Sequence, residues 1–99
     1  MKRNDNVELF AKGILQLKNE TEVYDFLDDI CTIKEIEDLA NRLLIAKLLM
    51  THYTFIEIEE ATGASSATIS RVNRCLKNKK GYYTVLKRLM KEESNETNH

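Results

Sequence analysis

Residues 66–79 concentrate the side chains of this chain that could do chemistry on a partner. At about 100° per residue, a helix there places Ala67, Ser70, Arg71, Arg74 and Asn78 on one side, flanked by Ser66 and Lys77, with Lys79 just beyond. No histidine, cysteine or carboxylate that could serve as base or metal ligand, or activate a nucleophile, is among them. Hydroxyls and guanidinium or ammonium groups at this spacing suit contact with a polyanion, in which cationic and hydroxyl groups hold phosphates and some reach base edges. Small Ser66, Ala67 and Thr68 at the start of such a helix let its backbone approach a surface closely.

The preceding residues supply what would position that helix. Thr54 and Glu57 have the spacing of a capping box, which predicts a helix start at Phe55. Phe55, Ile58 and Thr62, with Ala61 alongside, form its inward stripe, leaving Glu57 and Glu60 outward. Gly63 supplies the left-handed residue that closes many helices. Ala64 and Ser65 complete a short turn, and Ser65 caps a second helix over residues 66–77 with Ile69, Val72 and Leu76 inward. Residues 54–77 therefore read as a helix-turn-helix, with the second helix suited to a DNA major groove. Two antiparallel helices around a glycine turn also occur in domains that bind no nucleic acid.

Charge is distributed in favour of the first reading. The whole chain is nearly neutral, with 15 Lys/Arg against 16 Asp/Glu. Residues 1–60 hold 7 basic and 13 acidic residues, whereas residues 61–99 hold 8 and 3. The eight are Arg71, Arg74, Lys77, Lys79, Lys80, Lys87, Arg88 and Lys91, all ahead of Glu92. A localised basic field is the footprint of a polyanion partner, because each phosphate contact releases counterions. A merely solvated cationic helix face is the bland alternative.

The segment resembles the Trp repressor superfamily in its glycine-alanine turn and small-residue helix start, here Gly63, Ala64, Ala67, Thr68, Ile69 and Arg71. Over residues 7–91 the chain most resembles the YerC/YecD branch of Trp repressor-like proteins. That resemblance implies an all-α, intertwined homodimer of about six helices per chain that binds DNA as a transcriptional regulator. It also implies a ligand pocket at Asn41, Arg42, Arg71, Val72 and Cys75. Arg71 matches the arginine of the tryptophan-sensing member's recognition helix. Val72 stands where that member has a glycine beside the indole, and a branched side chain would enter the space. Cys75 replaces a serine that bonds the ligand amine and is a weaker partner. The second ligand arginine falls on Asn41, with Arg42 one residue away. Tryptophan is therefore not expected as corepressor, and an effector, if any, is unknown. Ile56 and Glu59, beside Glu57 and Glu60, stand where the family can offer basic groups to the phosphate backbone. Carboxylates there repel phosphates, which leaves open an interaction module that reuses the fold to bind an acidic protein without choosing among DNA sequences.

The rest of the chain reads as one helical domain over residues 1–99. It has 42% hydrophobic residues and no proline. Val7, Phe10, Ile14 and Leu17 mark a first amphipathic helix, in which Gly13 would allow close packing. Thr21 caps a second that bears Val23, Tyr24, Phe26, Leu27 and Ile30. Thr32 and Glu35 form another capping box, opening a third helix from Ile33 to about Thr51. Its second half, LLIAKLLM, is apolar almost all round. Such a helix needs cover on several sides, which a partner chain would supply; a central helix in a compact monomer is the alternative. Residues 77–81 read as a basic connector and residues 82–92 as a final helix burying Val85, Leu86 and Leu89 against a partner chain, with Tyr82 and Tyr83 as packing residues. Residues 1–5 and 94–99 are expected to be disordered.

Paired recognition helices about 34 Å apart would fit a palindromic duplex. Cys31 and Cys75 lack metal-ligand spacing and read as reduced thiols. The two histidines, His52 and His99, and the scattered carboxylates form no catalytic set or metal site, so neither an enzyme nor a cofactor is expected. No apolar run is long enough for a membrane span or signal segment, and a soluble cytoplasmic protein is expected.

Overall fold

The computed structural model describes residues 1–97. Among these residues there are six helices and no strand: α1 Asp5–Ile14, α2 Glu20–Ile30, α3 Ile33–Met50, α4 Phe55–Thr62, α5 Ser66–Asn78 and α6 Gly81–Thr97. They form two compact units, the first Met1–Ile36 and the second from Glu37 onward.

In the first unit, each helix start has a local cause. Asn4 accepts a hydrogen bond from the Val7 amide at 3.0 Å, so α1 begins at Asp5, inside the stretch expected to be disordered. Asn19, not Thr21, caps α2: its Oδ1 accepts from the Glu22 amide at 2.9 Å, while Glu22 accepts from the Lys18 amide at 3.0 Å. Asparagine outranks threonine as a cap, and here it places a glutamate at the third helical position. Leu17 lies past the end of α1, in a turn closed onto Ile14. A Cβ added at Gly13 would meet nothing within 4 Å, so no close packing occurs there. The rings of Phe10 and Phe26 lie 6.1 Å apart, tilted by 34°. Neither α1 nor α2 buries a side chain fully, and Leu9 is 73% exposed.

The second unit holds the core. Ile45 and Ala46 of α3, Ile58 of α4, Ile69 and Val72 of α5 and Leu86 of α6 are buried together, with Leu43, Leu48, Leu49, Met50, Leu76, Tyr82 and Met90 packed around them. The reciprocal bonds of Thr32 and Glu35 open α3 as expected. Within LLIAKLLM only Ile45 and Ala46 are fully covered, and Leu44 stays exposed. On α6, Leu86 is buried within the chain itself, and Val85 and Leu89, expected to be covered by a partner, are 48% and 41% exposed in the single chain. The helix also runs well past residue 92. Nothing between Gly81 and Thr97 breaks it, and Glu93 meets Lys47 of α3 at 3.5 Å. Residues 94–97 are thus helical rather than disordered, and residues 98–99 lie outside the described residues.

Candidate nucleic-acid interface

The turn between α4 and α5 is held by a chain of short-range hydrogen bonds. At its entry, Thr54 Oγ1 accepts from the Glu57 amide at 3.2 Å while the Thr54 amide donates to Glu57 Oε1 at 3.0 Å. The Thr54 backbone amide, and after it the Thr54 hydroxyl, hold the Glu57 carboxyl below its ordinary value, since hydrogen bonds to the carboxylate favour the charged form. At the other end of α4, Gly63 adopts φ +70° and its amide donates to the Glu59 carbonyl at 2.9 Å. Thr62 Oγ1 donates to the Ile58 carbonyl at 2.7 Å and accepts from the Ala64 amide at 3.2 Å, tying the turn back onto the helix it leaves. Ser65 Oγ accepts from the Thr68 amide at 3.2 Å and lies 3.1 Å from Thr68 Oγ1. The orientation of α5 is fixed by backbone and hydroxyl groups, so its outer face is left to other tasks.

That outer face is exposed: Ser66, Ala67, Ser70, Arg71, Arg74, Lys77 and Lys79 all lie at the surface. Ile69 and Val72 on the reverse side are buried, and Leu76 is half-buried. Among the described residues no carboxylate pairs with Arg71, Arg74, Lys77 or Lys79. The cations therefore present an unneutralised surface. Thr68 differs from its neighbours. It is half-buried, with its hydroxyl beside Ser65, and it lines the cleft behind the helix. Thr54 and Ser65 are exposed, but their hydroxyls serve the two helix starts.

The residues singled out for a ligand pocket are only partly brought together. Arg42, Arg71, Val72 and Cys75 line one cleft of about 220 Å³ with Thr68 and Tyr82. Asn41 lines a neighbouring hollow of about 310 Å³ with Asp38, Arg42, Ala64 and Thr68. Sequence reasoning missed Tyr82 as a wall of the cleft, because an aromatic at the start of a helix gives no sign of which cavity it closes. Val72 is 2% exposed and belongs to the core as much as to the cleft. The first helix of the motif buries less of its expected inward stripe. Ile58 is buried and Thr62 half-buried, but Phe55 and Ala61 are exposed, as are Ile56, Glu57, Glu59 and Glu60.

Six helices with a capped helix-turn-helix and a bare cationic face on its second helix define an all-α protein of the helix-turn-helix class. The chain belongs to the Trp repressor family, whose sequence model, described as Trp repressor protein, matches residues 5–91, across both units. It is 43% identical over 95 residues to "Uncharacterized protein YerC" of Bacillus subtilis strain 168, covering 96% of this chain and 91% of that protein. Two solved structures match with a TM-score of 0.83 each. One is a candidate Trp repressor from Staphylococcus aureus, 42% identical and covering 88% of each chain. The other is a TrpR-like protein from Eubacterium eligens ATCC 27750, 49% identical, covering 88% of this chain and 91% of that one. The family is one of regulators rather than enzymes. Among the described residues no helix is long and apolar enough to cross a membrane, and no cluster of residues could hold a metal ion.

Proposed function

We propose that this protein is a cytoplasmic, sequence-specific transcriptional regulator, built as one Trp repressor-like domain that pairs into a homodimer and docks α5 in the DNA major groove. The observation that carries this reading is the division of α5 into a buried apolar side and an exposed side with small residues at its N-terminal end and unpaired cations behind them. Ser66, Ala67 and Ser70 approach base edges, with Thr68 supporting the helix start. Arg71 and Arg74 contact bases or phosphates, and Lys77 and Lys79 contact phosphates. Dimerisation supplies the second recognition helix and covers side chains that one chain leaves open, among them Leu39, Leu44, Val85 and Leu89. Two recognition helices related by a two-fold axis call for a palindromic site.

Tryptophan is not the corepressor in this reading, because a branched Val72 stands in the wall of the cleft and Cys75 bonds weakly. The acidic exposed side of α4, Glu57, Glu59 and Glu60, favours a second reading: a protein-interaction module that does not select among DNA sequences. Selection from a random duplex pool separates the two. One enriched palindrome supports the regulator; no enrichment at low salt rejects it in favour of the module.

A further inference from the structure

The basic field does not end with the helix-turn-helix. On α6 and the residue before it, Lys80, Thr84, Lys87 and Lys91 follow one another at spacings of four, three and four, which at about 100° per residue align the three lysines within roughly 40° of one another and all four residues within roughly 60°. All four are exposed, and Tyr83 borders them. The stripe spans about 16 Å at about 1.5 Å per residue. It lies well away from Leu86, which is buried, and from Val85 and Leu89, the apolar side chains that need cover. Covering the apolar side of α6 therefore leaves the lysines in water. Among the described residues no carboxylate pairs with Lys80, Lys87 or Lys91. Lys87 instead donates to Tyr83 Oη at 3.0 Å, a contact that orients its ammonium without neutralising it. Lys79 and Lys80 follow α5 directly, so the stripe continues from the end of the recognition helix.

We propose that the Lys80, Lys87 and Lys91 stripe is a second nucleic-acid contact, which holds the phosphate backbone of duplex DNA flanking the site read by α5. The inference rests on the DNA-binding reading above and adds to it a footprint wider than the recognised sequence. Three straight, unpaired ammonium groups with a hydroxyl between them suit phosphates, since a lysine acts there as a point charge without base preference.

The test compares two duplexes: the selected site alone, and the same site extended by about 10 base pairs, one helical turn, on each side. The wild-type protein should bind the extended duplex more tightly and with a steeper salt dependence. The K80Q/K87Q/K91Q variant should keep wild-type affinity for the trimmed duplex and lose the advantage of the flanks, with the salt slope on the extended duplex reduced by about 2 or more, at about 0.9 per phosphate contact. The charge-preserving K80R/K87R/K91R variant should restore it. Equal wild-type affinity and slope on both duplexes overturns this inference and leaves the regulator standing. Equal losses by the glutamine variant on both duplexes also overturn it. Failure of the wild-type protein to bind either duplex at low salt overturns the DNA-binding reading itself.

Discussion

Arg71 and Val72 are consecutive on α5, about 100° apart around it: the arginine is exposed, whereas the valine is 2% exposed within the core. A single step along the helix thus separates the work of contact from the work of folding, and the two can be removed one at a time. R71A should leave the melting temperature within error of wild type while weakening DNA binding by about 1–3 kcal/mol if the arginine reads a base bidentately, with relaxed sequence preference. V72A should lower stability by about 1–3 kcal/mol. Thermal melts paired with binding isotherms check both; a large loss of stability in R71A would contradict the assignment.

Gly63 and His52 share a φ of +70°. Nothing lies within 4 Å of a Cβ placed at Gly63, so the cost of G63A is that of the backbone alone, about 1–2 kcal/mol. His52 already bears that strain, and H52G should stabilise the protein by up to about 1 kcal/mol once the added freedom of the unfolded chain is counted. Denaturant midpoints of the two variants should move in opposite directions.

The capping boxes give stability a dependence on acid. Hydrogen bonds from Thr54 to Glu57 and from Thr32 to Glu35, led in each case by the backbone amide, lower both carboxyl values from 4.5. A carboxyl depressed in the folded state contributes stability that is present above its unfolded value and is lost as pH falls through the folded value. Glutamine can make the same bonds without a charge, so the difference in melting temperature between wild type and E57Q should be constant above about pH 5 and shift against wild type as the pH drops below 4.5. A difference that stays flat down to pH 3 would mean that Glu57 carries no linked proton.

For the cleft behind α5, titration calorimetry with tryptophan should show no stoichiometric binding in the micromolar range. Such binding would overturn the reading of Val72 and Cys75 as residues that disfavour tryptophan there.

Sedimentation should report twice the chain mass of 11.5 kDa. A single-chain mass would leave Leu39, Leu44, Val85 and Leu89 in water and remove the two-fold pairing of recognition helices.

The helix-turn-helix was legible in sequence almost residue by residue, because its boundaries are set by contacts no more than four residues apart. Thr54, Glu57, Gly63 and Ser65 act on their own neighbours, and their bonds occur where the spacing predicts them. The start of α2 was read less well. Asn19 and Thr21 are both competent caps, and the choice turns on a third residue, Glu22, whose amide donates to Asn19 while its carboxylate accepts from the Lys18 amide. The far end of α6 carried no stop signal, and polar composition alone suggested disorder where helix continues to Thr97. Periodicity identified the apolar sides of α4 and α6 but not what covers them: Phe55 was expected inside and is exposed, whereas Val85 and Leu89, expected against a partner, are exposed in the single chain. The hollow around Arg42, Arg71, Cys75 and Tyr82 joins residues 40 positions apart, a separation at which local pattern carries no information.

The absence of any fully buried side chain in α1 and α2 has a consequence for how this molecule behaves on dilution. A hairpin with no dry interior gains little by closing on itself, so its order draws on whatever shields Leu9, Phe10 and Leu15 from water. If a second copy does so, the N-terminal amides will exchange hydrogen faster as protein concentration falls, while those around Ile45 and Ile69 hold their protection longer.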